Sequence, residues 1–222
     1  SLDMDDKQAE MYEIEKSAAR NEVMKIINSE DSGVKALTAL IRLRKLALHP
    51  KMYEETYNSD NPKTRWIIDF LKEVQEEHHK VIVFATFSTY FNYLAKELEE
   101  ADISSLIFTG ETKNPDQVLD KFQNDDSVTA LLTTYQKGGT GLNLTAASYV
   151  IHAEQWYNPQ LTDQATARAH RSGQTKPVTS YHLLLKDSID EKIYNLAKKK
   201  RDVANGTLDM AKMSAEMALD LI

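Results

Sequence analysis

The sequence predicts an α/β fold in which a parallel sheet is covered by helices on both faces and carries an N-terminal helical appendage. Two observations lead there. From about residue 80 onward, short apolar runs alternate with amphipathic stretches, and the runs are continuous rather than alternating, as strands buried on both faces require. Before residue 50 the apolar residues recur instead at helical spacing.

Taken in order, residues 1–49 read as helices, with Met11, Ile14 and Ala18 on one apolar face and Leu37, Leu40, Ile41, Leu43, Leu46 and Leu48 forming a denser set. His49-Pro50 stops the second helix, because proline lacks an amide hydrogen and restricts the residue before it. Residues 51–62 turn to Tyr, Glu, Thr, Asn and Ser and end in Asn61-Pro62, which marks a connection. Strands are expected at 81–84, 105–108, 128–133, 149–152 and 178–185. Between them run helices through Tyr90, Leu94 and Leu98, through Val118 and Phe122, and from 159 to about 171; a last helix spans about 188–201. Met210, Met213, Met217 and Leu221 give the tail a weak helical stripe, suited to core packing or to docking on a partner. The expected division is 1–60 helical, 61–201 sheet-bearing and 202–222 a C-terminal helix.

The 222 residues, 41% of them hydrophobic, can bury a core of one domain with an appendage. There is no cysteine, which rules out disulfides and thiolate sites and favours an intracellular protein. No apolar run approaches the roughly 18 to 20 residues of a membrane span, so no membrane partner is expected. The net charge of −7 argues against nucleic acid, yet residues 136–222 carry 11 Lys and Arg against 9 Asp and Glu. That segment includes the run Lys198, Lys199, Lys200, Arg201, which reads either as a polyanion contact or as a solvated helix face. His78-His79 lacks a third ligand, and His152, His170 and His182 have no metal spacing, so no metal site is expected.

In parallel sheets ligands bind at the carboxyl ends of the strands, so the loops at 84–88, 109–112, 134–143 and 152–158 should form one functional edge. Gly138, Gly139 and Gly141 directly follow a buried strand. Glycines there allow close backbone approach and exposed amides, an anion nest, or simply a tight turn. The run is not a dinucleotide fingerprint, since Leu144 stands where its third glycine belongs, and no GxxxxGK[ST] loop occurs. Downstream, Asn158-Pro159 can start a helix and Gly173 can end it. Gln164, Arg168 and Arg171 fall at i, i+4 and i+7, an amide and two guanidiniums on one stripe. Such a stripe suits a polyanion, because the planar fork of arginine pairs with phosphate oxygens and stays charged. The plainer reading is a solvated face, which the intervening alanines disfavour.

These segments, in this order, resemble the C-terminal helicase lobe of Swi/Snf-type DNA-dependent ATPases, in helicase superfamily two. The resemblance rests on the Leu40 to Pro50 helix ending in His-Pro, on Lys63 and the helix leading into the 80–87 strand, on GGTGLNLTAA from Gly138 to Ala147, and above all on QATARAHRSGQ from Gln164 to Gln174. Ser188 to Ile193 extends it. It implies a RecA-like lobe in which Arg168 and Arg171 reach ATP phosphates as arginine fingers, supported by Gln164, Gly139 and Gly141. It also implies DNA-backbone contacts from Thr86, Thr109, Gly110, Thr134, Gly138, Thr140 and Asn143. ATP and magnesium would be bound mainly by an N-terminal RecA-like lobe, because the Walker lysine and DExx acids of such motors are absent here. The chain alone is therefore expected not to hydrolyse ATP. Implied partners are double-stranded DNA, that other lobe and a DNA-bound protein substrate; the implied location is the bacterial nucleoid region or a eukaryotic nucleus. Four features depart from the pattern: Ala167 replaces an Asp, Ala153-Glu154 an aromatic-Asp pair, Gln136-Lys137 a basic-Ala pair, and no arginine lies between Gly110 and Phe122. They leave open a lobe that binds nucleic acid or protein without ATPase activity.

Overall fold

The computed structural model describes residues 1–138, 142–170, 177–202 and 214–222. In chain order its elements are α1 (Asp6–Ile26), α2 (Ser32–Leu48), a 3-10 turn (Pro50–Met52), α3 (Pro62–Glu76), β1 (Val81–Ala85), α4 (Tyr90–Glu100), β2 (Ser105–Phe108), α5 (Pro115–Asn124), β3 (Ala130–Thr134), α6 (Tyr135–Gly138), β4 (Tyr149–His152), α7 (Pro159–Ala169), β5 (Thr179–His182), α8 (Ile189–Asp202) and α9 (Ala215–Leu221). They form two compact units. One gathers Ser1–Pro62, Gln155–Pro159 and Leu184–Ile222; the other holds Lys63–Glu154 and Gln160–Leu183.

In the helical unit, α1, α2, α8 and α9 surround a core that includes Leu40, Leu43, Leu46, Ile189, Ile193 and Leu221. Burying each such side chain contributes roughly 1.5–3 kcal/mol. Of the apolar face expected from Met11, Ile14 and Ala18, Met11 packs against the core while Ile14 and Ala18 are exposed. Helix α1 buries Gln8, Tyr12, Glu15, Ala19 and Val23 instead, and Ile14 is 65% exposed. Hydrogen bonds explain this displacement: Gln8 Nε2 donates to Leu46 O at 3.0 Å, while Glu15 accepts from Arg42 Nε at 2.7 Å and from the Tyr53 hydroxyl at 2.5 Å. Polar side chains with such partners can be buried, which a hydropathy pattern does not register.

Residues 184–201, grouped with the sheet on sequence grounds, cluster with these helices. The start of α8 shows why. The Ile189 N–H, one of the orphan amides of a helix N-terminus, donates to the Tyr12 hydroxyl at 2.7 Å, and Ser188 Oγ accepts from the Asp190 N–H at 3.1 Å. Leu2 adds a parallel bridge to Leu185. Of the methionine stripe, Met217 lies in α9 against the core, and Met210 and Met213 lie outside the described residues.

Asp5 starts α1 by accepting from the Gln8 N–H at 2.7 Å, and it also accepts from the hydroxyls of Tyr57, at 2.8 Å, and Ser59. Burial alone pushes this carboxyl up, and the bonds from Ser59, Gln8 and Tyr57 outweigh it, so Asp5 sits below its ordinary value of 3.8. Asp5→Ala should therefore cost about 1 kcal/mol in urea unfolding at neutral pH. A carboxyl lowered in the folded state stabilises fully above its unfolded value and loses that contribution as pH falls through the folded value. The stabilities of parent and variant should accordingly converge below pH 3.8.

The sheet unit has the strand order β2-β3-β1-β4-β5, all neighbours parallel. Crossovers between parallel strands are almost always right-handed, so this strand order directs α4 to one face and α5 and α7 to the other, the two-sided cover the apolar runs predict. β1 and β3 are buried almost throughout, while β5, an edge strand, is not. Two strands are shorter than expected. β3 begins at Ala130 because Val128 is still in a turn, its N–H on Asp125 O at 3.1 Å, and β5 ends at His182 rather than 185. One row of register partners crosses the whole sheet near its carboxyl edge: Phe108, Thr133, Phe84, His152 and His182. Partners in one row project from the same face.

Candidate functional site

β1 leads away toward β2, whereas its neighbours β3 and β4 lead toward the opposite side, so the chain reverses direction on both flanks of β1. Crevices open at such points. The loop after β1 is fixed there by a buried carboxylate: the Thr86 N–H donates to Glu154 Oε2 at 2.9 Å, and Glu154 is 1% exposed. Glu154, read from sequence as a departure from an aromatic-Asp pair, thus ties the ends of β1 and β4 together.

After β2, Thr109 is buried and its N–H donates to Thr112 Oγ1 at 2.8 Å, which closes a tight turn. Gly110 is exposed with nothing near its missing side chain, so Gly110→Ala should change stability by less than about 0.5 kcal/mol in thermal unfolding. Between the β1 and β2 loops lies a depression of about 410 Å³ lined by Ser88, Thr89, Asn92, Thr109 and Lys113 among others. Its hydroxyl, amide and ammonium donors suit an anion, although Glu111 on its wall opposes one. Sequence reasoning placed Ser88 in the expected edge but passed over Thr89, Asn92 and Lys113, whose only signal was a polar stretch after a strand.

After β3 the chain turns at once into α6, which was expected only as a turn. Thr134 Oγ1 accepts from the Lys137 N–H at 3.3 Å and so caps it. Gly138 packs so closely that a Cβ there would stand 2.6 Å from Phe84 Cε1. Gly139, Thr140 and Gly141 lie outside the described residues, and Asn143 beyond them is exposed. The next residue returns to the site: the Leu144 N–H donates to Arg168 O at 3.2 Å, joining the chain that leaves the glycine run to the last turn of α7.

Helix α7 carries Gln164, exposed, and Arg168, half-buried, one turn apart on one stripe. Ala165 and Ala169 face inward and are fully buried. Arg171 lies outside the described residues. The structure therefore joins the Arg168 backbone to Leu144 and Thr86 to the end of β4, while Thr109 and Gly110 stand apart on the far side of β3. Among the described residues, no three His, Asp or Glu side chains are grouped to hold a metal ion, and no helix is long and apolar enough to cross a membrane.

The helical unit explains the residues around Arg44. Arg44 is 3% exposed and its guanidinium lies over the rings of Trp156 and Tyr157, at 5.2 and 5.3 Å, while Arg42 pairs with Glu15 and Glu22 at 2.7 and 2.5 Å. The His-Pro stop is a cap as well, with His49 Nδ1 accepting from the Lys51 N–H at 3.3 Å. Lys198 and Lys199, from the basic run, are exposed on α8.

Residues 62–173 match the helicase conserved C-terminal domain. Over 200 residues the chain is 31% identical to an uncharacterized ATP-dependent helicase of Mycoplasma pneumoniae, covering 89% of this chain and 19% of that protein. Over 140 residues it is 38% identical to the ATP-dependent helicase FUN30 of Saccharomyces cerevisiae, covering 60% of this chain and 12% of that one. The chain is similar in fold to part of the SWI2/SNF2 ATPase core of Sulfolobus solfataricus solved in complex with dsDNA, with a TM-score of 0.76 at 28% identity over 90% of this chain and 43% of that chain. The C-terminal part of the Fun30 ATPase domain superposes with a TM-score of 0.78 at 24% identity, covering 99% of this chain and 94% of that one. The chain spans about a fifth of the length of the curated relatives it matches.

Proposed function

From the premise that the chain belongs to the helicase conserved C-terminal domain family, and to its Swi/Snf type, we propose that it is the arginine-bearing half of an ATP-driven motor on double-stranded DNA. One observation carries this reading. Helix α7 presents Gln164 and Arg168 on one stripe at the carboxyl edge of the sheet, and its last turn is bonded to the chain leaving the glycine run.

Arg168 is held on a helix whose inner face is buried, so its guanidinium can meet a phosphate without reordering the backbone. It would neutralise charge developing on the terminal phosphoryl group of an ATP held by a second lobe, with Arg171 as a second donor and Gln164 as support. The guanidinium fits that group; the chain offers no comparable place for magnesium among its described residues, so the metal would be held on the other lobe. Thr86 and Thr109, whose amides are already bonded within the chain, would contact backbone phosphates by their hydroxyls, joined by Thr134, Gly138, Thr140 and Asn143, with Gly139 and Gly141 on the ATP side. Contacts of this kind act on an otherwise acidic chain because they are local dipoles rather than net charge. The motor would translocate on duplex DNA and displace bound protein rather than separate strands.

DNA-stimulated ATPase assays on this chain, and on the chain joined to its natural upstream region, test the proposal. The isolated chain should show no turnover and the joined protein should show DNA-dependent turnover. Hydrolysis by the isolated chain would overturn the half-site reading. DNA binding by the joined protein without any ATPase would favour a lobe that only binds.

A further inference from the structure

Behind the phosphate-facing edge lies a buried polar chain that none of the proposed contacts uses. His152, fully buried at the end of β4, stacks on His182 at 4.3 Å and lies beside the rings of Phe84 and Tyr135, at 5.8 and 5.7 Å. Both of its nitrogens meet hydroxyls: Nδ1 is 2.9 Å from Tyr135 Oη and Nε2 is 3.1 Å from Thr166 Oγ1. Each hydroxyl also reaches a main-chain carbonyl, Tyr135 that of Glu154 at 2.8 Å and Thr166 that of Thr162 at 3.1 Å. The Glu154 carboxylate in turn holds the Thr86 N–H. A continuous set of bonds therefore runs from the β1 loop, through the start of α6, to the middle of α7, two residues before Arg168.

A neutral imidazole has one N–H and one lone pair, so the two hydroxyls cannot both donate to it. Thr162 O, inside α7, already accepts the helical N–H of Thr166, which makes the Thr166 hydroxyl redundant there and free to turn to the ring. The Tyr135 hydroxyl, in contrast, makes a short bond to the Glu154 carbonyl. The favoured arrangement is then directional: Thr166 Oγ1 donates to Nε2, Nδ1–H donates to Tyr135 Oη, and Tyr135 donates to Glu154 O.

We propose that His152 is a positioning residue, whose imidazole links Thr166 of α7 to Tyr135 of α6 and so holds Arg168 in register with the glycine turn. The inference rests on the motor reading for its consequence but not for its geometry. Moving α7 without moving the turn breaks a bond to the ring, so the two shift together or not at all.

Nitrogen-15 NMR of the histidine rings in the 222-residue chain tests the geometry. Nδ1 of His152 should carry the proton and Nε2 the lone-pair signature, and Thr166→Val should shift the Nε2 signal. The opposite tautomer, protons on both nitrogens, or an Nε2 signal indifferent to Thr166→Val would overturn the relay. In the protein joined to its upstream region, Thr166→Val should lower DNA-stimulated kcat about tenfold at unchanged melting temperature, and Thr166→Ser should restore it. Tyr135→Phe combined with Thr166→Val should lower kcat no further than the worse single variant. Independent, multiplying losses, or no recovery with Ser, would overturn the coupling. A joined protein without DNA-stimulated turnover would sink the motor reading and with it the coupling, while the NMR result would still decide the relay.

Discussion

Arg168→Ala, in the protein joined to its upstream region, should lower DNA-stimulated ATP turnover by about 10³- to 10⁵-fold while DNA binding persists. The size follows from what an arginine supplies in phosphoryl transfer, a charge and a fork of donors matched to oxygens that gain negative charge at the transition state. Position supports that role: Arg168 sits in the last turn of α7, and its own carbonyl accepts from Leu144, so the backbone that carries it is fixed from both sides. Arg168→Lys separates charge from geometry. Lysine keeps the charge without the planar fork, so most of the loss should remain. Measured as kcat at saturating ATP and DNA, a fall of less than about tenfold in the alanine variant would show that Arg168 does not touch the transferring group. Exposed Gln164, one turn away, should give a smaller loss because an amide carries no charge.

Much of this site was legible because it lies on elements with strong local signals. The continuous apolar runs of β1 and β3 mark strands in any context, and Asn158-Pro159 starts α7 where helix chemistry says it should. Parallel strands then bring Thr86, Thr109 and Thr134 to one edge whatever the details of packing. The relay was not legible. Tyr135, His152 and Thr166 have no spacing in common, and they meet only because the register sets His152 beside Phe84 and because a crossover lays α7 over that row. Glu154 likewise looks like a lost aspartate until its carboxylate is found on the Thr86 N–H. The misplaced face of α1 has the same origin, since Gln8 and Glu15 are buried for partners, Leu46 and Arg42, that lie 38 and 27 residues away. Periodicity reports apolar burial and is silent about buried polar groups whose partners are distant in sequence.

The glycine run invites the same distinction, and Gly138 decides it for one position. Read from sequence, the glycines serve either a ligand or a tight turn; in the structure Gly138 serves the approach of Phe84. Its absent Cβ would come within 2.6 Å of Phe84 Cε1 and 3.0 Å of Thr133 Cγ2. Phe84 cannot yield easily, because it is fully buried with the Tyr135 ring stacked at 5.4 Å on it and His152 beside it. Gly138→Ala should therefore destabilise the sheet unit by about 1–3 kcal/mol, with Gly138→Val worse, the range for overpacking a close-packed core. The cause can be isolated by relieving it. Phe84→Leu alone leaves a cavity and costs stability, but in the Gly138→Ala background it makes room for the new methyl, so the double variant should be more stable than the two single losses predict. Strict additivity in urea unfolding would show that Gly138 is needed for something other than the approach of Phe84. Because Phe84 also lies beside His152, Gly138→Ala should disturb the ring signals of His152 as well, a link between the start of the glycine run and the relay that no ligand has to mediate.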